Sequence, residues 1–151
     1  MEINEYFENG NGRELFLEQI GRSDWGAGKY LYELLKNNEL EKLTGENPRV
    51  FLLSDGGKLA AFCTFTAADD IPDTELTPWI GFAYTFPEYR GRRCMGLLFD
   101  KIISIAAAEG FPAVYISTDH IGLYEKYGFE FMRHMTDRRG EQSRVYVKRL
   151  K

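Results

Sequence analysis

Cysteine is scarce. Cys63 and Cys94 are the two in 151 residues, set neither as a paired metal-ligand motif nor as a disulfide framework. They read as free thiols in a reducing compartment, and no metal site is expected. No stretch approaches the roughly 20 apolar residues that span a bilayer, and the N-terminus has no basic segment followed by an apolar one. The expectation is a cytoplasmic protein with no membrane partner. Basic residues are outnumbered, 19 Lys and Arg against 23 Asp and Glu, for a net charge of −4 and a pI near 5.3. That balance argues against a nucleic-acid-binding surface. Repeats, low-complexity runs and Pro/Ser-rich linkers are also missing. The length suits one well-buried core, so residues 1–151 are expected to form a single domain.

What the chain does have is a hydrophobic run over residues 77–86 that breaks at Pro87 into Pro87-Glu88-Tyr89-Arg90-Gly91-Arg92-Arg93-Cys94-Met95-Gly96, followed by an apolar-periodic segment. A strand, a tight basic turn and a fresh helix N-terminus gather unpaired backbone N–H groups and the positive end of a helix dipole around one point, which favours an anion. The forked donors of Arg90, Arg92 and Arg93 suit phosphate oxygens. The basic patch is local, as a phosphate-ligand site would be.

The remaining pattern alternates strands and helices. Residues 1–7 suggest a first strand, and 8–12 a turn by their Asn/Gly content. Leu15, Phe16, Leu17 and Ile20 predict a short helix ending near Gly21; Tyr30, Leu31, Leu34 and Leu35 predict a second, with Gly26 and Gly28 loosening the connection before it. Asp55-Gly56-Gly57 between two apolar runs is a hairpin signal. Residues 67–72 read as an acidic loop and 74–86 as a long central strand. Met95, Leu98, Ile102 and Ile105 define the buried face of the helix after the basic turn, which ends at Gly110 before Pro112. Residues 113–117 are strand-like, and two further strands at 129–135 and 144–148 flank Asp137-Arg138-Arg139-Gly140. Strands and helices alternating in the middle, with paired strands at both ends, predict a mixed α/β sheet.

The basic turn, in the register Arg90-Gly91-Arg92-Arg93-Cys94-Met95, resembles the acyl-CoA-binding motif of the GNAT superfamily of N-acetyltransferases, with Arg93 and Met95 where that motif has small residues and Gly96 one place later. A second segment, Leu123-Tyr124-Glu125-Lys126-Tyr127-Gly128-Phe129, is similar to the Tyr-Glu-Lys-x-Gly-Phe signature that closes the same superfamily's core. The resemblance implies a mainly antiparallel sheet flanked by helices, two central strands that splay apart, and acetyl-CoA as cosubstrate. It implies main-chain contacts to the pantetheine arm from Ala83, Tyr84 and Thr85, and a pyrophosphate held by residues 91–96 with help from Arg90, Arg92 and Arg93. Cys94 lies in that cradle. Tyr124 stands where the family carries a tyrosine beside the thioester sulfur, and Tyr127 at a packing position.

An alkylammonium with a pKa near 10.4 is not nucleophilic until it loses a proton, so an acceptor site needs a base. Asp69, Asp70, Asp73 and Glu75, just before and within the central strand, and Asp119 and His120, before the tyrosine segment, are the candidates, with Asp70, Glu75, Asp119 and His120 as catalytic possibilities and Asp69 as a substrate-binding one. Each of the acids could equally be part of a solvated loop. Trp25 and Trp79 could stack on a cationic substrate, with core packing the alternative for Trp79. The function expected is acetyl transfer to a primary amine, on a small molecule or a protein, by direct attack in a ternary complex; a non-catalytic module that senses CoA or another phosphate ligand is the alternative. Superfamily members are frequently dimers, so a homodimer is compatible with the resemblance.

Overall fold

The computed structural model describes residues 1–150. Seven strands form one sheet: β1 (Glu2–Glu5), β2 (Arg49–Asp55), β3 (Lys58–Thr66), β4 (Trp79–Thr85), β5 (Ala113–Thr118), β6 (Glu130–Thr136) and β7 (Gln142–Arg149), in the order β1-β2-β3-β4-β5-β7-β6. Every neighbouring pair is antiparallel except β4 and β5. The four helices are α1 (Arg13–Gly21), α2 (Gly26–Lys36), α3 (Leu40–Thr44) and α4 (Cys94–Ala108). No helix among the described residues is long and apolar enough to cross a membrane.

Alternation along β2 and β3 explains the two-sided core, because successive side chains of a strand point to opposite faces. Phe51, Leu53, Ala61, Cys63 and Phe65 face α4 and its Leu98, Phe99 and Ile102. Val50, Leu52 and Phe62 face α1 and α2 through Phe16, Ile20, Leu31 and Leu34. The buried side of α4 is Cys94, Met95, Leu98, Phe99, Ile102 and Ala106, with Ile105 only partly buried. Gly56 and Gly57 take φ of +58° and +86° in the β2–β3 turn, a conformation that favours glycine and closes the expected hairpin.

Several expected boundaries move. β1 stops at Glu5, where Tyr6–Glu8 turns into a 3-10 helix whose Glu8 N–H donates to the Glu5 carboxylate at 3.0 Å. Gly26 and Gly28 belong to the first turn of α2 instead of preceding it. A Cβ at Gly28 would lie 2.1 Å from Ser23 Oγ, so glycine there lets the α1–α2 connection press against the helix. The central strand starts at Trp79 and not at 74, leaving residues 74–78 without regular structure. α3 had no counterpart in the sequence pattern. The tyrosine segment is a single 3-10 turn, Tyr124–Tyr127, closed by Gly128 at φ +87°.

Candidate active site

The site begins where β4 and β5 part. Their parallel ladder is two pairs long, Trp79 with Tyr115 and Ile80 with Ile116. Beyond Ile80, β4 is paired on its β3 side alone, with a bulge in which Phe62 opposes Tyr84 and Thr64 opposes Gly81. Phe82, inside that bulge, has φ +48°, a rare value for an aromatic residue and one that functional sites tend to hold. Backbone groups of β4 that would have met β5 are left for another partner.

At one end of the gap lies the basic turn. Gly91 (φ +80°) and Arg93 (φ +59°) reverse the chain, and Arg93 is the N-cap of α4 with no side-chain cap bond, so the first N–H groups of the helix are uncapped by any side chain. Arg93 is exposed and Met95 is buried in the core, so neither side chain fills the turn despite its size. Gly96 faces Tyr127, whose ring would stand 3.5 Å from a Cβ there. Arg92 lies over the Tyr89 ring at 5.4 Å and is exposed. Arg90 is tied back to the strand. Its Nε donates to the Thr85 carbonyl at 3.0 Å and its guanidinium covers the Tyr84 ring, so it ties the turn to the end of β4. That bond occupies part of the Thr85 carbonyl; Tyr84 is in register with Phe62 of β3, and Ala83, inside the bulge, has no register partner. Cys94 is buried and its Sγ–H points at the Tyr89 carbonyl, 3.6 Å away.

Tyr124 enters from the α4 side. It packs on Phe99, Phe129 and Tyr146, and burial, with Cys63, Tyr127 and Asp69 adding to it, pushes its phenol up to about 12 while the Thr118 side chain draws it back. A phenol held that high keeps its proton at neutral pH and can donate it.

On the opposite side is a cleft of about 590 Å³ whose lining includes Trp25, Tyr30, Asp69, Asp70, Phe82 and Asp119. Asp69 is nine-tenths buried. A Cβ at Gly81 would fall 2.2 Å from its Oδ1, so only glycine lets the carboxyl sit against β4 at the point where β5 departs. Burial pushes this carboxyl up to about 7, and the Asp70 charge adds to the effect, while the Asp70 N–H and the Arg138 guanidinium oppose it. Arg138, from the β6–β7 turn, holds the loop in place. Its Nε donates to the Asp69 carbonyl at 2.9 Å, its Nη2 to the Leu43 carbonyl at 3.1 Å, and its backbone N–H to the Asp70 carbonyl at 3.0 Å. Asp70 is also held above the usual carboxylate range, first by burial and then by Asp137.

The family profile described as "Acetyltransferase (GNAT) family" matches residues 12–129. The chain belongs to the GNAT acetyltransferase family. Among solved structures it is similar to an aminoglycoside 6'-acetyltransferase type Ii, with a TM-score of 0.72 and 16% identity over 100% of this chain and 98% of the other. It is also similar to the GNAT family N-acetyltransferase YhbS from Escherichia coli in complex with CoA (0.68, 18%, 99% and 81%), and to the aminoglycoside 6'-N-acetyltransferase from Enterococcus faecium (0.69, 14%, 100% and 98%). At these identities the likeness is one of fold. No curated protein matches the sequence at a significant level.

Within this GNAT fold the sequence candidates separate. Asp69, Asp70, Asp119 and Trp25 come together in the cleft, while Tyr124 is outside its lining, bonded to the Thr118 side chain and near enough for the Asp69 charge to act on it. Three other candidates do not join them. Glu75 is exposed in the irregular segment before β4 and outside the cleft lining. His120 is exposed, its N–H bound to Thr118 Oγ1 and its carbonyl accepting from the Tyr146 hydroxyl. Trp79 is fully buried; its indole N–H donates to the Leu76 carbonyl at 2.6 Å and its ring packs on Tyr115, so it is a core residue. Phe82, Ser117, Tyr30 and Arg138 line the site without having been singled out. The Gly81-Phe82 pair inside an apolar strand was the available signal, since a strand glycine marks a bulge or a close approach.

Proposed function

We propose that this GNAT protein transfers the acetyl group of acetyl-CoA to a primary amine by direct attack, with Asp69 as general base and Tyr124 as general acid. One juxtaposition carries the assignment: the Asp69 carboxyl rests on Gly81 where β4 leaves β5, and the Tyr124 phenol, bonded to the Thr118 side chain at the end of β5, is near enough for the Asp69 charge to act on it. Pairs of titratable groups whose environments push their pKa values apart suit acid and base roles. The uncapped α4 N-terminus with Arg92 and Arg93 suits the pyrophosphate, and the main chain of Ala83, which has no partner in the β3–β4 register, together with that of Thr85 suits the pantetheine amides.

An ammonium loses two protons on the way to an amide. The first leaves as the free amine forms, and Asp69 takes the second as the new C–N bond closes. The C–S bond breaks with its electron pair going to sulfur, and Tyr124 gives that thiolate a proton. Water in the open cleft returns Asp69 and Tyr124 to their starting states. The acidic lining, Asp70 and Asp119 beside Asp69, favours an acceptor that arrives as a cation.

The test combines binding and turnover. Acetyl-CoA should raise the melting temperature, as any ligand of the native state alone must, and Arg92→Ala and Arg93→Ala should each weaken that binding by roughly 1 to 2 kcal/mol. Thiol release against an amine panel should then find an acceptor. An unchanged melting curve at millimolar acetyl-CoA refutes the proposal; protection without release from any amine would leave a CoA-sensing module.

A further inference from the structure

The cleft has a wall that the acid–base chemistry leaves unused. Tyr30 on α2 is 50% exposed although large and aromatic, and its ring stands 6.2 Å from that of Phe82. Trp25 lies flat on Tyr84, 5.5 Å between centroids and 8° between planes, so its outer face is a level surface in the same cleft. Phe82 is the residue with φ +48°. Aromatic surface left open beside a bulge in a cleft marks a binding surface more often than chance exposure does.

Phe82 follows Gly81, the residue against which the Asp69 carboxyl rests. Consecutive Cα atoms are about 3.8 Å apart, so an acceptor whose nitrogen lies at Asp69 has its next few atoms beside Phe82 and Tyr30. Charge narrows the class further. Asp70 and Asp119 make no ion pair among the described residues. Of the cations of the cleft, Arg139 is paired with Asp137 at 3.2 Å and Glu141 at 3.3 Å, and Arg138, without an ion pair, is tied to the Leu43 and Asp69 carbonyls. An acceptor carboxylate would meet three acids there, and the one cation without an ion pair, Arg138, already holds two carbonyls.

We propose that the acceptor is an arylalkylamine, a primary amine on a short linker from a planar ring, without a carboxylate. The inference rests on the acetyltransferase reading and adds the body of the substrate to it. The ring would lie between the Trp25 face and the Tyr30–Phe82 pair, with the ammonium drawn in by Asp70 and Asp119.

The experiment compares 2-phenylethylamine with hexylamine, spermidine and phenylalanine at saturating acetyl-CoA. It is repeated with Tyr30→Ala, a change at a half-exposed helix position that leaves the core intact. Saturation-transfer NMR reads binding of 2-phenylethylamine separately. The expected result is a kcat/KM about tenfold higher for 2-phenylethylamine than for hexylamine, the scale of an aromatic contact, very low turnover of phenylalanine, and collapse of the tenfold preference in Tyr30→Ala. Equal or better use of spermidine or hexylamine, with a preference that Tyr30→Ala leaves alone, overturns the ring-bearing acceptor and keeps the acetyltransferase. Ring binding that Tyr30→Ala abolishes, without turnover of any amine, supports the site and overturns the catalytic reading. Neither binding nor turnover overturns both.

Discussion

Replacing Asp69 with Asn keeps the shape of the side chain and removes its titration, and two independent measurements follow from that. Burial raises this carboxyl from 3.8 to about 7, so near neutral pH it is divided between its two forms. As a general base it works when ionised, and log kcat/KM of the native enzyme should climb with pH up to about 7. Asp69→Asn should lower kcat by about 10² to 10⁴, the range for a positioned base, and erase the inflection at 7. The stability effect has the opposite sense. Between pH 3.8 and about 7 the folded state holds a proton that the unfolded chain has released, so the native protein loses stability as pH rises through that window. The gap between 3.8 and about 7 corresponds to roughly 4 kcal/mol once both pKa values are passed. Asp69→Asn escapes this loss. It should melt above the native protein at pH 8, by several degrees for a chain of this length, and the difference should shrink towards pH 4. Thermal melts by circular dichroism across pH 4 to 8, beside pH–rate profiles, check both. A variant that is active with its inflection intact, or a stability difference flat in pH, refutes the reasoning.

Gly81→Ala places a Cβ 2.2 Å from Asp69 Oδ1 and must push the carboxyl off β4; kcat should fall on the scale of Asp69→Asn while acetyl-CoA protection in a thermal melt stays close to native. Tyr124→Phe removes only the hydroxyl and should cost about 10²-fold in kcat without changing acetyl-CoA affinity, whereas Tyr127→Phe, a ring packed on Phe99, should cost little; equal effects would make Tyr124 a packing residue. Arg138→Ala removes the charge that lowers Asp69 and two side-chain hydrogen bonds to its loop and to α3. Its rate inflection should move above 7, a displacement that general loosening of the hairpin would not produce, and an inflection left in place would reduce Arg138 to a structural tie.

The parts legible from the residues alone were those whose signal is local. The Asp55-Gly56-Gly57 turn, the apolar stripe of α4 and the Pro87–Gly96 turn are each written within a few residues, because φ preference, helical period and N-terminal N–H groups are properties of a short stretch of chain. The two short motifs, thirty residues apart, were enough to name the family. α3 was missed since five residues carry too little period to show. The start of β4 was misplaced because residues 74–78 have an apolar pattern with no ladder partner, and pairing is decided by another strand. Among the carboxylates, Asp69, Asp70, Asp73 and Glu75 are nearly equivalent as letters. They differ in the fold: Glu75 is out in water, while Asp69 is pressed by Gly81 and held by Arg138 from 69 residues away. A carboxyl becomes a base near neutrality through desolvation, which is the sum of everything packed around it. The sequence determined the basic turn, the tyrosine and the supply of acids; tertiary structure alone chose which acid was buried, because burial is a property that no residue carries by itself.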